Sequence, residues 1–229
     1  MTSQHTVVFD LDGTLVDTAP DLINALNFVL GREGLPPVPL HSARNMIGGG
    51  ARRLIERGLE LEDRAASVAD VTRLTDDFIA YYADHIADMS RPFEGLEDAL
   101  DHLQSLGYRF AVCTNKLEWL SKLLLDRLGL SSRFSAICGA DTFGVSKPDP
   151  AILQQTVARA GGHITSAIMV GDAGPDIGAA RRAGVPVIGV EFGYTEVPMV
   201  DLKPDRLINH MNKLPAAVES LMAHNNFRI

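Results

Sequence analysis

The sequence predicts an α/β protein, a parallel β-sheet flanked by helices, with an all-helical unit inserted after the first strand. Three observations carry this reading. Short, continuously apolar runs recur along the chain, amphipathic helical patterns alternate with them, and residues from about 18 to 90 break the alternation with helical periodicity alone. The 229 residues suit one medium domain, or a core carrying a smaller inserted one. Hydrophobic residues at 46% supply a packed core, which excludes disorder as the dominant state.

The first strand is Thr6-Val7-Val8-Phe9, ending abruptly at Asp10; its apolar residues are continuous rather than alternating, as in a strand buried on both faces. Similar runs follow at Phe110–Cys113, Ala136–Cys138, Ala167–Val170 and Val187–Val190. Between them, Leu96, Leu100 and Leu103 mark one helix stopped by Gly107, and Leu117–Leu128 a second stopped by Gly129. Ile152, Leu153, Val157 and Ala160 mark a third, and Pro175 opens a fourth that ends before Gly184. In the interruption, Leu22, Ile23, Leu26, Val29 and Leu30 describe an amphipathic helix with Thr18 as its N-cap. Another helix follows Gly48-Gly49-Gly50, and a third carries Val68, Val71, Leu74, Phe78 and Tyr82.

Charge and cysteine usage narrow the function. Lys+Arg is 21 against Asp+Glu at 29, a net charge of −8 without a basic run, so neither nucleic acid nor an anionic membrane is an expected partner. Cys113 and Cys138 are too few and too isolated for a disulfide framework or a cysteine zinc site. The start, Met1 to His5, lacks a signal-peptide n-region, and no 18-residue apolar stretch is present. The expectation is a soluble cytoplasmic protein.

The chemistry gathers at strand ends. Asp10-Leu11-Asp12-Gly13-Thr14 directly follows the first strand, and ligand sites in open parallel sheets lie at carboxyl ends. An Asp-x-Asp pair alone also suits a solvated turn; three later features decide against that. Thr114-Asn115 closes the second strand run, Lys147-Pro148 opens a helix, and Gly171-Asp172 ends another strand with Asp176 four residues on. A phosphate ester needs an in-line nucleophile, positive charge for its equatorial oxygens and a proton for the leaving group. Carboxylates suit Mg²⁺, a hard cation that prefers oxygen ligands. Lys147 adds a cation, while Thr114 and Asn115 add neutral donors. The three glycines 48, 49 and 50 open a helix whose amides can bind an anion, and Arg52 can add a charged contact there. Lys116 and Arg53 are weaker candidates of the same kind. The histidines show no metal-ligand spacing, Phe78, Tyr81 and Tyr82 read as packing residues, Cys113 as a buried strand residue, and Trp119 as packing its helix or exposed at a dimer contact.

The order Asp10-Leu11-Asp12-Gly13-Thr14, Thr114-Asn115, Lys147-Pro148 and Gly171-Asp172…Asp176 resembles the haloacid dehalogenase-like hydrolases across essentially the whole chain. The resemblance implies a Rossmann-like catalytic core (residues 1–17 and 91–229) and an inserted helical C1-type cap (residues 18–90) that sets substrate specificity. It implies that Asp10 is the nucleophile forming an aspartyl-phosphate and that Asp12 protonates the leaving oxygen and then activates water. Thr114 and the Asn115 backbone would bind the phosphoryl group and Lys147 would steady it. Mg²⁺ would be held by Asp10, the Asp12 backbone carbonyl and Asp172, with Asp176 outside the direct ligands or bound through water. The carboxylate at position 12 disfavours dehalogenation, which lacks it. Ala173 stands where related phosphatases commonly carry serine.

The run Phe9 to Leu22, the cap loop Ile47 to Arg52, Thr114-Asn115-Lys116 and Phe192-Gly193-Tyr194 further resemble bacterial phosphoglycolate phosphatases. A monomeric or homodimeric enzyme hydrolysing 2-phosphoglycolate, a small phosphorylated metabolite, is therefore expected. Hydrolysis of a phosphosugar, nucleotide or pyrophosphate, a phosphosugar mutase, or a scaffold that binds phospholigands without turnover are the rivals.

Overall fold

A computed structural model describes residues 5–225; Met1 to Gln4, part of the start considered above, lie outside the described residues. The elements run β1 (Thr6–Phe9), β2 (Val16–Asp17), α1 (Ala19–Arg32), α2 (Leu40–Ala43), α3 (Ala51–Glu60), α4 (Val68–Asp84), β3 (Arg91–Pro92), α5 (Leu96–Ser105), β4 (Arg109–Cys113), α6 (Glu118–Arg127), β5 (Ala136–Cys138), α7 (Pro150–Arg159), β6 (Ala167–Gly171), α8 (Gly174–Ala183), β7 (Val187–Val190), β8 (Arg206–Ile208) and α9 (Leu214–Asn225).

Six strands form one parallel sheet in the order β5-β4-β1-β6-β7-β8. The chain builds outward from β1 to β5, then returns to β6 on the other side of β1, which makes the β1/β6 boundary a topological switch point. Register is set by side-chain alternation. Val7, Phe9, Phe110, Val112, Ile168 and Val170 pack on one face. Val8, Ala111, Cys113 and Met169 pack on the other. A one-residue slip would exchange these sets, so the register that aligns Phe9 with Val112 and Val170 is firmly specified. Phe9 is fully buried against Phe110 and Phe134, and truncating it to alanine is expected to cost about 3–5 kcal/mol.

Between β2 and β3 the regular elements among the described residues are all helices. Leu22, Ile23, Leu26, Val29 and Leu30 of α1 are buried with Leu54, Ile55 and Leu59 of α3 and Val71, Leu74, Phe78 and Tyr82 of α4. Val68, included in the expected apolar stripe, is instead 74% exposed because it is the first residue of α4, just after the cap. That cap is reciprocal: Ser67 Oγ accepts from Asp70 N at 3.1 Å and an Asp70 oxygen accepts from Ser67 N at 3.1 Å. The antiparallel pair β2–β3, Val16 to Pro92 and Asp17 to Arg91, ties the two ends of the helical segment together.

Candidate active site

Asp10 follows β1 and Asp172 follows β6, so the switch point brings both to one crevice. Gly13 makes their approach possible: its φ is +82°, and a Cβ there would meet Asp172 Oδ2 at 2.3 Å. Asp10, Asp172 and Asp176 form a buried cluster whose oxygens lie within 4.8 Å of one another and could hold a metal ion. Lys147 Nζ stands 2.8 Å from Asp10 Oδ1 and 2.7 Å from Asp176 Oδ1. Asp172 accepts from Thr14 Oγ1 at 2.9 Å and from Tyr194 N at 2.6 Å. Both Asp176 oxygens are engaged, one by Lys147 and the other by Ala173 N at 3.1 Å.

Electrostatics show what this cluster lacks. Burial raises the Asp10 carboxyl to about 6, with Asp176 and Asp12 adding to the rise and Lys147 opposing it. Burial, then Asp10 and Asp176, push Asp172 well above the usual carboxylate range. Burial works against the Lys147 ammonium, but Asp10 and Asp176 override it and hold the charge. The acids therefore hold more negative charge than one lysine offsets, and a hard divalent cation among oxygen donors fits that imbalance.

Asp12 lies beside this cluster and has a different environment. Its carboxylate accepts from Lys116 Nζ at 2.9 and 3.0 Å and from Thr18 Oγ1 at 2.7 Å. Two expectations change here. Thr18 occupies the N-cap position of α1 but makes no side-chain cap, because its hydroxyl turns to Asp12. Lys116, a weak candidate in the sequence, is a buried partner of the second motif aspartate. Its backbone is clamped as well: its carbonyl accepts from Ala140 N at 3.1 Å, and a Cβ on Gly139 would meet that same oxygen at 2.4 Å.

Thr114 is buried at the end of β4, its Oγ1 accepting from Lys116 N at 3.2 Å. The Asn115 side chain braces the site, donating to the carbonyls of Gly48 at 3.3 Å and Lys147 at 3.2 Å and accepting from Lys147 N at 2.9 Å. A cavity of about 250 Å³ opens above these residues. Its floor includes Asp10, Asp12, Thr114, Asn115 and Lys116, and its roof includes glycines 48 to 50, Arg52, Phe78 and Tyr82 from the helical segment. Gly50, with φ +84°, is the N-cap of α3. The Arg52 guanidinium is bonded to Glu56 at 3.1 Å and reaches Thr72 at 3.5 Å. Arg57 of α3 pairs with Glu196 across the neighbouring rim. Burial pushes the Cys113 thiol up to about 12, so it stays protonated and offers no second nucleophile. Trp119 is 47% exposed.

Tyr194 was flagged in the sequence only as part of a motif, yet it joins three places. Its amide holds Asp172, its hydroxyl accepts from Ala19 N at 3.0 Å, and that hydroxyl donates to Asp17. Arg44 pairs with Asp17 at 2.7 Å and lies over the Tyr194 ring.

A crevice at the switch point, floored by acids short of positive charge and roofed by helices, defines an α/β enzyme whose chemistry is collected from several strand ends. The particular family follows from comparison. A model described as haloacid dehalogenase-like hydrolase matches residues 7–190, and the chain belongs to that family. Phosphoglycolate phosphatases of Agrobacterium fabrum and Caulobacter vibrioides are 46% and 45% identical over 217 residues, covering 94% and 95% of this chain and 93% and 92% of theirs. A crystal structure of a predicted phosphoglycolate phosphatase from Haemophilus somnus superposes with a TM-score of 0.85 at 28% identity, covering 93% of this chain and 97% of that one. A β-phosphoglucomutase from Clostridium difficile, 21% identical with a TM-score of 0.79 over 98% of each chain, shares the fold. The chain is an enzyme of the phosphatase class.

Proposed function

We propose that the chain is a Mg²⁺-dependent phosphomonoester hydrolase acting through an aspartyl-phosphate on Asp10, with 2-phosphoglycolate as substrate and glycolate and phosphate as products. The observation that carries this reading is Asp10 itself. It is buried at the cavity floor, its Oδ1 is 2.8 Å from Lys147, and it shares a carboxylate cluster with Asp172 and Asp176. An Asp10 oxygen attacks phosphorus, the ester P–O bond breaks, and the leaving alkoxide takes a proton from Asp12. Water then attacks phosphorus, gives its proton to Asp12, and releases Asp10 with inorganic phosphate. Thr114 and the Asn115 backbone bind the phosphoryl oxygens, and Lys147 orients Asp10.

The side chains of Asp10 and Asp172 and the Asp12 carbonyl would hold Mg²⁺, which supplies charge that draws the anionic substrate to an anionic nucleophile. Asp176, with both oxygens already bonded, supports Lys147 rather than joining the direct ligands. Residues 18–90 serve as a cap over the core formed by residues 1–17 and 91–229, closing on the β2–β3 ribbon to exclude bulk water. Glycines 48 to 50 and the α3 N-terminus face the substrate from this cap. No described helix is long and apolar enough to cross a membrane. We place the enzyme in the cytoplasm, as a monomer or homodimer.

The test is a kinetic panel with Mg²⁺ comparing 2-phosphoglycolate, phosphosugars, nucleotides and pyrophosphate. The highest kcat/KM is expected for 2-phosphoglycolate. A phosphosugar or nucleotide preferred over it would overturn the substrate, and return of the phosphoryl group to a sugar without free phosphate would identify a mutase.

A further inference from the structure

Two polar groups meet in the cavity without a part in phosphoryl transfer. Lys116, from the core, and Tyr82, from α4, both line it. The Lys116 ammonium lies 4.6 Å from the centroid of the Tyr82 ring, so the two elements converge on one place beside Asp12. Tyr82 is 1% exposed, and its phenolic oxygen has no hydrogen-bond partner among the described residues. Burying a hydroxyl unpaired is costly, and such a group in a ligand cavity is explained most simply by the ligand it meets. Burial, with Asp12 and Asp21 nearby, holds the phenol protonated and thus a donor.

The cavity's other contents sharpen the chemistry. Among the described residues Arg52 is the only other cation lining it, and its guanidinium is bonded to Glu56 and Thr72. The Thr75 hydroxyl donates to Val71 O at 2.7 Å. The remaining roof side chains include Leu54, Phe78 and Ile79, which offer nothing to a charge, and glycines 48 to 50 offer backbone amides but no cation. Lys116 is thus the cation placed to receive a negative group on the leaving-group side of Asp12. Its position is built, since its backbone is clamped at Gly139 and Ala140.

We infer that Lys116 and Tyr82 form the receptor for a carboxylate on the substrate's leaving group, the ammonium supplying charge and the phenol a neutral donor. Both are specificity-determining residues, and substrate binding exchanges part of the Lys116–Asp12 pairing for Lys116–carboxylate pairing. The inference rests on the phosphoglycolate reading and adds to it the residues that read the acid.

The experiment compares kcat/KM for 2-phosphoglycolate with that for its neutral carboxamide analogue, in the wild-type enzyme and in Lys116→Met, Lys116→Arg and Tyr82→Phe. The ratio of the two substrates is the readout, because any general loss from freeing Asp12 affects both and cancels. Wild type is expected to favour the carboxylate. Lys116→Met should shrink that preference by about 100-fold and Tyr82→Phe by about 10-fold, the range for a charge-assisted and a neutral contact in a desolvated site, while Lys116→Arg keeps most of it. If wild type favours the carboxylate and the ratio survives both Lys116→Met and Tyr82→Phe, the receptor assignment is wrong while the substrate stands. A wild-type ratio near one overturns the receptor and the phosphoglycolate reading together.

Discussion

Lys147 Nζ lies 2.8 Å from Asp10 Oδ1, and both groups are buried at the switch point of the sheet. The same ammonium reaches Asp176 at 2.7 Å, so one lysine is shared by two buried acids. Removing one partner of such a set leaves charge buried and unpaired, which typically costs about 3–5 kcal/mol. Lys147→Met is therefore expected to lower the urea midpoint of unfolding at pH 7 and to reduce turnover at least 100-fold. An unchanged midpoint would show that the acids rearrange to solvent instead.

Cation binding should stabilise the fold, because Asp10 and Asp172 are held above their usual range by burial and by neighbouring acids. A ligand at one hundred times its Kd adds about 2.7 kcal/mol. Mg²⁺ is expected to raise the melting temperature relative to enzyme in chelator, and Asp172→Asn to abolish most of that rise. An equal rise in Asp172→Asn would move the cation elsewhere.

The pH dependence has a definite sign. The Asp10 carboxyl rises from 3.8 to about 6 in the metal-free fold. Its contribution to stability is then fully present below about pH 4 and lost as pH rises through about 6. The metal-free wild type should lose stability over that window relative to Asp10→Asn, as measured by chemical denaturation at stepped pH. Mg²⁺ affinity should strengthen over the same window as the proton leaves. Parallel stability profiles for the two proteins would contradict the assignment.

Tyr194 supplies a separate test, because its amide and hydroxyl serve different elements. Tyr194→Phe keeps the amide bond to Asp172 but removes the hydroxyl that meets Ala19 N and Asp17 at the start of the helical segment. A buried donor left unsatisfied costs about 1–3 kcal/mol. Stability should fall by that amount while the Mg²⁺-dependent rise in melting temperature persists; loss of the Mg²⁺ response would mean the hydroxyl also orders Asp172.

The parts of this molecule legible in the sequence are those fixed by local pattern. β1, β4, β5, β6 and β7 announce themselves as continuous apolar runs, since each is buried on both sheet faces. β8 has only Arg-Leu-Ile with one buried residue at the sheet edge, and the β2–β3 ribbon has two residues per strand, so neither shows a period. Asp10, Thr114 and Asp172 are legible because each follows such a run, and Lys147 because it stands beside a proline at the entrance of a helix. The direction of Lys116, the turn of Thr18 to Asp12 and the orphan hydroxyl of Tyr82 depend on how the helical segment meets the core. No local spacing encodes that meeting, and Tyr82 reads from its heptad-like neighbours as packing alone.

The central claim is that Asp10 carries the phosphoryl group. The most direct measurement is the Mg²⁺-dependent turnover of 2-phosphoglycolate by Asp10→Asn, an exchange that removes the nucleophilic oxygen at nearly constant shape. The account expects a loss of at least about 10⁴-fold, as for removal of a nucleophile in other covalent catalysts. Turnover within tenfold of wild type, in a variant that still folds, would contradict it.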